Sequence, residues 1–145
     1  MHALHPVCVV LALSFSTLAV AQQLDGSVPL SCRVTSGFDC LPGLASCGPI
    51  KRETDIEPVY GIDIANMQVR SPFRTALLTI AHSTMSDTAI VLQGAESKTA
   101  WSALIKRATG EMTITLADTK GAYVAFGQCK IAGAPAGSGT QQGAN

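Results

Sequence analysis

The sequence is short of charge, of aromatic rings and of the motifs that announce a chemistry. Only 14% of its 145 residues are charged, with 10 Lys+Arg against 10 Asp+Glu, so the formal net charge is zero. A chain with no basic excess has no long-range field to draw in a polyanion, which argues against a nucleic-acid partner. Aromatic residues make up 5%, including the single tryptophan, Trp101, too few for the stacking platform of a single-strand binder. Walker, H-E-x-x-H, S-x-x-K and C-x-x-C patterns are missing, and with them the usual phosphate-loop, zinc-protease, acyl-serine and dithiol chemistries. What is abundant is apolar: 47% of the chain, enough to exclude disorder throughout. The length suits one domain.

Charge is also unevenly spread. Residues 1–21 hold no Asp, Glu, Lys or Arg, and an apolar run from Val7 ends at Ala19-Val20-Ala21. These are the apolar region and small-x-small site of a secretory signal peptide, forming a signal helix cut between Ala21 and Gln22. The run is short for a membrane span, and no second one follows, so the mature form is expected to have no span and to be periplasmic or secreted. Past the leader, residues 22–58 read as an irregular segment rich in Cys and Pro, residues 59–132 as a β domain, and residues 133–145 as a flexible Gly/Ala-rich tail.

Period two dominates the middle. Tyr60, Ile62 and Ile64 alternate with small or polar residues, as do Leu78 and Ile80, Ile90 and Leu92, Trp101, Ala103 and Ile105, and Met112, Ile114 and Leu116. Successive side chains of a strand point to opposite faces, so half-buried strands produce this pattern. Helix formers in Arg74–Ala81 and Ala100–Arg107 compete, but neither stretch has a 3,4-spaced stripe, and strand is the better reading. Reversals are expected at Ala65-Asn66, at Gly94-Ala95-Glu96-Ser97, at Arg107-Ala108-Thr109-Gly110 and at Asp118-Thr119-Lys120-Gly121, the last two with Gly at a left-handed position. The fold predicted is all-β, an antiparallel meander of six or seven strands forming a small barrel or a sandwich.

Four cysteines follow the leader: Cys32, Cys40, Cys47 and Cys129. In an exported chain of this size they read as two disulfides, which supplement a small core. Three pairings are open. Cys40–Cys47 across the Leu41-Pro42-Gly43 turn, with Cys32–Cys129 tying the start of the fold to its last strand, is favoured; the longer loop would contribute about 4–5 kcal/mol. The C-x7-C-x6-C spacing matches no common zinc knuckle, and no cofactor is expected.

Other candidate chemistry is thin. His82 lies near Ser83, Ser86 and Asp87, but no G-x-S-x-G elbow accompanies them, and a solvated loop histidine is the better reading. Glu53, Asp55 and Glu57 would share one face of an extended segment, yet Lys51 and Arg52 adjoin them and no Gly-turned calcium loop is present. Lys106, Arg107, Lys120 and Lys130 could form a small basic patch, against the simpler reading of ordinary hairpin solubility. Trp101, Tyr123 and Phe126 could form a binding platform, although Trp101 is in phase with Ala103 and Ile105 and so is assigned to the core. No catalytic residue and no metal ligand is assigned.

Two resemblances follow from particular segments. The leader, the Cys-bearing start, Val59-Tyr60-Gly61-Ile62-Asp63-Ile64, the hairpin Trp101 to Gly110 and the closing Val124-Ala125-Phe126-Gly127-Gln128-Cys129 resemble small exported β-rich proteins of Gram-negative bacteria, a group that implies location and fold class rather than an activity. Thr119-Lys120-Gly121-Ala122-Tyr123 is similar to the loop that periplasmic inhibitors of C-type lysozyme, small disulfide-tied β-barrels, insert into the enzyme's cleft. The function expected is therefore non-enzymatic: an envelope accessory or binding module whose partner is an envelope protein, with inhibition of a lysozyme-type wall hydrolase as the alternative.

Overall fold

Ten strands form one antiparallel sheet in the computed structural model, which describes residues 23–43, 47–50, 58–72 and 77–133. No helix occurs among those residues. The expected leader and most of the expected tail, residues 134–145, lie outside them, as do Glu53, Asp55 and Glu57.

The strands are β1 (Leu30–Cys40), β2 (Cys47–Pro49), β3 (Val59–Asp63), β4 (Gln68–Arg70), β5 (Leu77–Thr79), β6 (His82–Met85), β7 (Ala89–Glu96), β8 (Thr99–Lys106), β9 (Glu111–Asp118) and β10 (Gly121–Ile131). Their spatial order is β5-β4-β3-β1-β10-β9-β8-β7-β6, with β2 also paired to β1. Ten strands replace the six or seven expected. Short β2, β4 and β5 carry too few residues to declare a period of two, and β1 comes from the segment expected to be irregular. There Leu30, Cys32 and Val34 are buried in phase, but prolines and cysteines around them mask the alternation. The simple meander is also broken, because β1 lies between β3 and β10.

The sheet is curled and barrel-like, and its two outermost strands show why. β5 and β6 end the strand order on opposite sides, yet only Ile80 and Ala81 separate them in the chain. The N–H of Ile80 donates to the Met67 carbonyl at 2.9 Å, whereas that of Ala81 donates to the Gln93 carbonyl at 2.8 Å. Adjacent residues thus serve opposite edges, which brings the edges together and leaves less strand backbone open to pairing with other chains.

Alternation places the core on the concave face. Tyr60, Ile62, Ile90, Leu92, Trp101, Ala103, Ile105, Met112 and Ile114 are all buried, as the period predicts. Each of these side chains larger than alanine contributes about 1.5–3 kcal/mol relative to exposure. Cys32 and Cys129 stand opposite each other in the β1–β10 register and are disulfide-bonded, as are Cys40 and Cys47 across β1–β2. This is the favoured pairing, and it fits a non-reducing, exported environment.

Two of the expected reversals have different chemistry. Gly110 has φ +74° and closes its turn by donating to the Lys106 carbonyl at 2.8 Å. Gly121 has no positive φ; its turn is held by Asp118 Oδ1, which accepts from the N–H groups of Lys120 and Gly121 at 2.7 and 3.0 Å, an Asx turn. Glycine is needed there because a Cβ would stand 2.6 Å from the Cys40 carbonyl oxygen. The third reversal is displaced: Gly94, Ala95 and Glu96 belong to β7, and the chain turns at Ser97-Lys98, with Ser97 at φ +53°.

Candidate functional site

Register divides the curled sheet into two ends. One carries the start of β1, the β3–β4, β6–β7 and β8–β9 turns and the end of β10; the other carries the end of β1, the β7–β8 and β9–β10 turns and β2.

The first end is stoppered. Leu24 is buried, its N–H donates to the Arg107 carbonyl, and Arg107 returns a bond from Nε to the Leu24 carbonyl at 2.8 Å. Arg107 Nη1 also donates to the Ser86 carbonyl at 2.8 Å. Beside it Gly26, at φ +70°, packs so tightly on Ile64 that a Cβ would stand 2.9 Å from its Cδ1. The turn is fixed by Asp25, which accepts from the Ser27 hydroxyl and N–H; those bonds hold its carboxyl below the usual range.

Among the described residues the second end is open. A cavity of about 320 Å3 enters the concave face between Tyr60, Ser71, Thr99, Leu116 and Tyr123, with Asp39, Leu41 and the hairpin from Asp118 to Ala122 around it. Four of the residues near it form one cross-strand row: Trp101 pairs with Leu116, Leu116 with Tyr123, and Tyr123 with Asp39. Burial raises the Tyr123 phenol above its ordinary value, and the neighbouring Asp39 charge adds to the shift. Trp101 continues the row under Gly94, where a Cβ would fall 2.5 Å from Nε1 of its ring.

Asp39 reaches the cavity because of a β-bulge. The β1–β10 register shifts between Val34 and Ser36, so Thr35 is an extra residue and its hydroxyl donates to the Phe126 carbonyl at 3.2 Å. Before the shift, Leu30, Cys32 and Val34 face inward. Beyond it Phe38 is turned out, 45% exposed, and Asp39 takes the row with Tyr123. Bulges commonly re-aim a side chain in this way. Sequence reasoning missed Asp39 altogether; no local signal distinguishes Thr35 from its neighbours.

The other candidates are dispersed. His82 is exposed on β6 opposite Gln93, and four residues of extended chain, about 13 Å, separate it from Ser86. The Ser86 hydroxyl instead accepts from the N–H groups of Thr88 and Ala89 at 3.3 and 3.1 Å, securing a turn. Lys106 pairs with Glu111 at 2.5 Å, which lowers the Glu111 carboxyl, and Arg107 is committed to the stopper. Lys120 sits at the opposite end of β9, so no patch joins it to them. Trp101 is buried, as expected; Phe126 is 40% exposed on the outer face, and only Tyr123 of the three lines the cavity.

Comparison with family models, with curated proteins and with solved structures gives no match to this chain.

Proposed function

We propose that the protein is an exported, non-enzymatic β domain, an envelope accessory that works as a small barrel and binds a partner or ligand through its open mouth. The observation that carries this reading is the asymmetry of the ends: one is closed by Leu24 and Arg107, the other leaves an apolar and hydroxyl-lined cavity with a carboxylate at its edge. Concave sites with a few polar groups on an apolar wall are the usual form of a ligand pocket. The two disulfides support export, because a cytosolic thiol pool would keep the cysteines reduced. Isotope-labelled, oxidised protein mixed with low-mass soluble envelope extract provides the test. Amide shifts concentrated at Asp39, Leu116, Lys120 and Tyr123 are expected; shifts confined to the outer face, or none, would overturn the proposal.

Inhibition of a lysozyme-type hydrolase is a second reading, favoured by the exposed Asp118–Gly121 hairpin on the rim, which carries Lys120. A lysozyme cleft holds two carboxylates, so a basic loop tip suits it. Residual lysozyme activity measured with micromolar excess of the protein decides it. Inhibition weakened by Lys120→Ala is the expected result, and undiminished lysozyme activity dismisses the idea.

A further inference from the structure

Resting on the reading of the mouth as the binding surface, we propose that the Cys40–Cys47 disulfide is a redox latch on its rim. A dithiol of the C-x-x-C class opens it and loosens that wall, while Cys32–Cys129 keeps the fold. Three observations converge. The first is access. Cys47 is exposed and Cys40 half-buried, whereas Cys32 and Cys129 lie in the core, 0% and 4% exposed. An attacking thiolate reaches the former pair and not the latter.

The second is what each bond holds. Cys32 faces Cys129 within the long β1–β10 ladder and spans a sequence separation of 97. Cys40 is the last residue of β1 and Cys47 the first of β2, so the other bond clamps the end of a strand only 3 residues long. Among the described residues β2 pairs with β1 alone, and a further backbone bond runs from the Ile50 N–H to the Gly37 carbonyl at 2.9 Å. So short an edge strand frays from its Cys47 end once unclamped. The third observation is the connection to the mouth. Asp39 and Leu41, on either side of Cys40, both line the cavity. Gly121 packs against the Cys40 carbonyl, and Ala122 stands opposite Cys40 in the register. Slack at the end of β1 therefore reaches both sides of the rim.

Opening is a thiol–disulfide exchange. A donor thiolate attacks Cys47 Sγ, the Cys40 thiolate leaves, and the donor's second thiolate displaces Cys47 from the mixed disulfide. Two electrons and two protons pass to Cys40 and Cys47, and the donor departs as its own disulfide.

Reduced thioredoxin, added to the oxidised full chain and quenched by alkylation, tests the proposal. Mass analysis should find Cys40 and Cys47 blocked at least about tenfold faster than Cys32 and Cys129. In that open form amide exchange should quicken about tenfold at Ile50 and stay unchanged at Leu24. The Tyr123 phenol, raised by burial and by the Asp39 charge, should titrate closer to its ordinary value. Cys40→Ser combined with Cys47→Ser carries no alkyl group and should behave alike. Opening of both disulfides together, or of neither, overturns the latch. So does an open form whose Ile50 exchange and Tyr123 titration match those of the oxidised protein. A double variant that does not fold overturns it as well, since a latch has to open without unfolding the barrel. The envelope-extract mapping, made on oxidised protein, judges the mouth as a binding surface separately.

Discussion

The two ends of the curled sheet use the same hairpin grammar and the same set of strands, but among the described residues one is sealed and the other open. Sealing depends on contacts between parts of the chain far apart in sequence: Arg107 binds the carbonyls of Leu24 and Ser86, and Cys129 is tied to Cys32. At the open end two local ties stand out among the described residues. Asp118 holds its own hairpin, and Cys40–Cys47 closes a loop with a sequence separation of 7. Long-range ties make a rigid base, and local ties leave a rim whose turns can change with little effect on the core. That division is common where binding residues sit on loops carried by a stable scaffold.

The disulfides separate the two ends most strongly. Replacing Cys32 and Cys129 together by Ala should destabilise the fold by about 4–5 kcal/mol, because the bond closes a long loop, whereas the corresponding Cys40 and Cys47 pair should cost about 2–3 kcal/mol. Denaturant titration of both double variants measures the gap; equal losses would erase the distinction between base and rim. Mild dithiol treatment of the native protein should open Cys40–Cys47 first, because Cys47 is exposed while Cys32 and Cys129 are buried, and mass analysis after alkylation would reveal the order.

Next in size is Arg107→Ala. It removes two charge-assisted bonds to carbonyls and should cost about 2–3 kcal/mol, accompanied by faster amide exchange at Leu24. A loss without that local exchange would mean that Arg107 acts elsewhere than the stopper. Asp118→Ala, its counterpart at the rim, should cost only about 1 kcal/mol. Its exchange effects should be restricted to Lys120 and Gly121, and their spread to Leu24 or Arg107 would contradict the independence of the two ends.

The smallest effect is electrostatic. The Tyr123 phenol has a raised value in the folded protein, so the fold binds its proton more tightly than the unfolded chain does. That contribution is complete below the ordinary tyrosine value of 10.0 and disappears as pH rises through the folded one. Melting midpoints should therefore fall more steeply above about pH 10 in the native protein than in Tyr123→Phe, and less steeply in Asp39→Asn. The depressed Asp25, Asp63 and Glu111 carboxyls act in the opposite direction: their contribution is present above the ordinary carboxylate range and is lost as acid protonates them.

Much of the base could be read along the chain. Tyr60 and Ile62, Trp101 to Ile105, and Met112 with Ile114 declare their strands by alternation, and Gly110 marks its turn. The Asp118 turn was recognisable by residue type, although the aspartate holds the turn and the glycine serves the close approach to the Cys40 carbonyl. Little of the mouth was readable, because its row joins Trp101, Leu116, Tyr123 and Asp39 from four strands. The position of β1 between β3 and β10 decides that Asp39 meets Tyr123 at all. Gly94 looked like a turn residue and is the bare seat of the Trp101 ring, a role visible only once β7 and β8 are paired.

The amino-acid order by itself determined the class of fold, the concave-facing side chains on most strands, and a sulfur pairing favoured among three. Each of these follows from local periodicity or from the places of Cys32, Cys40, Cys47 and Cys129 along the chain. Strand order, the joining of the sheet's edges through Ile80 and Ala81, and the inward turn of Asp39 were decided by tertiary structure alone. A one-residue bulge reverses which side chains face the interior, and the energy that selects it comes from pairing with a strand some ninety positions away.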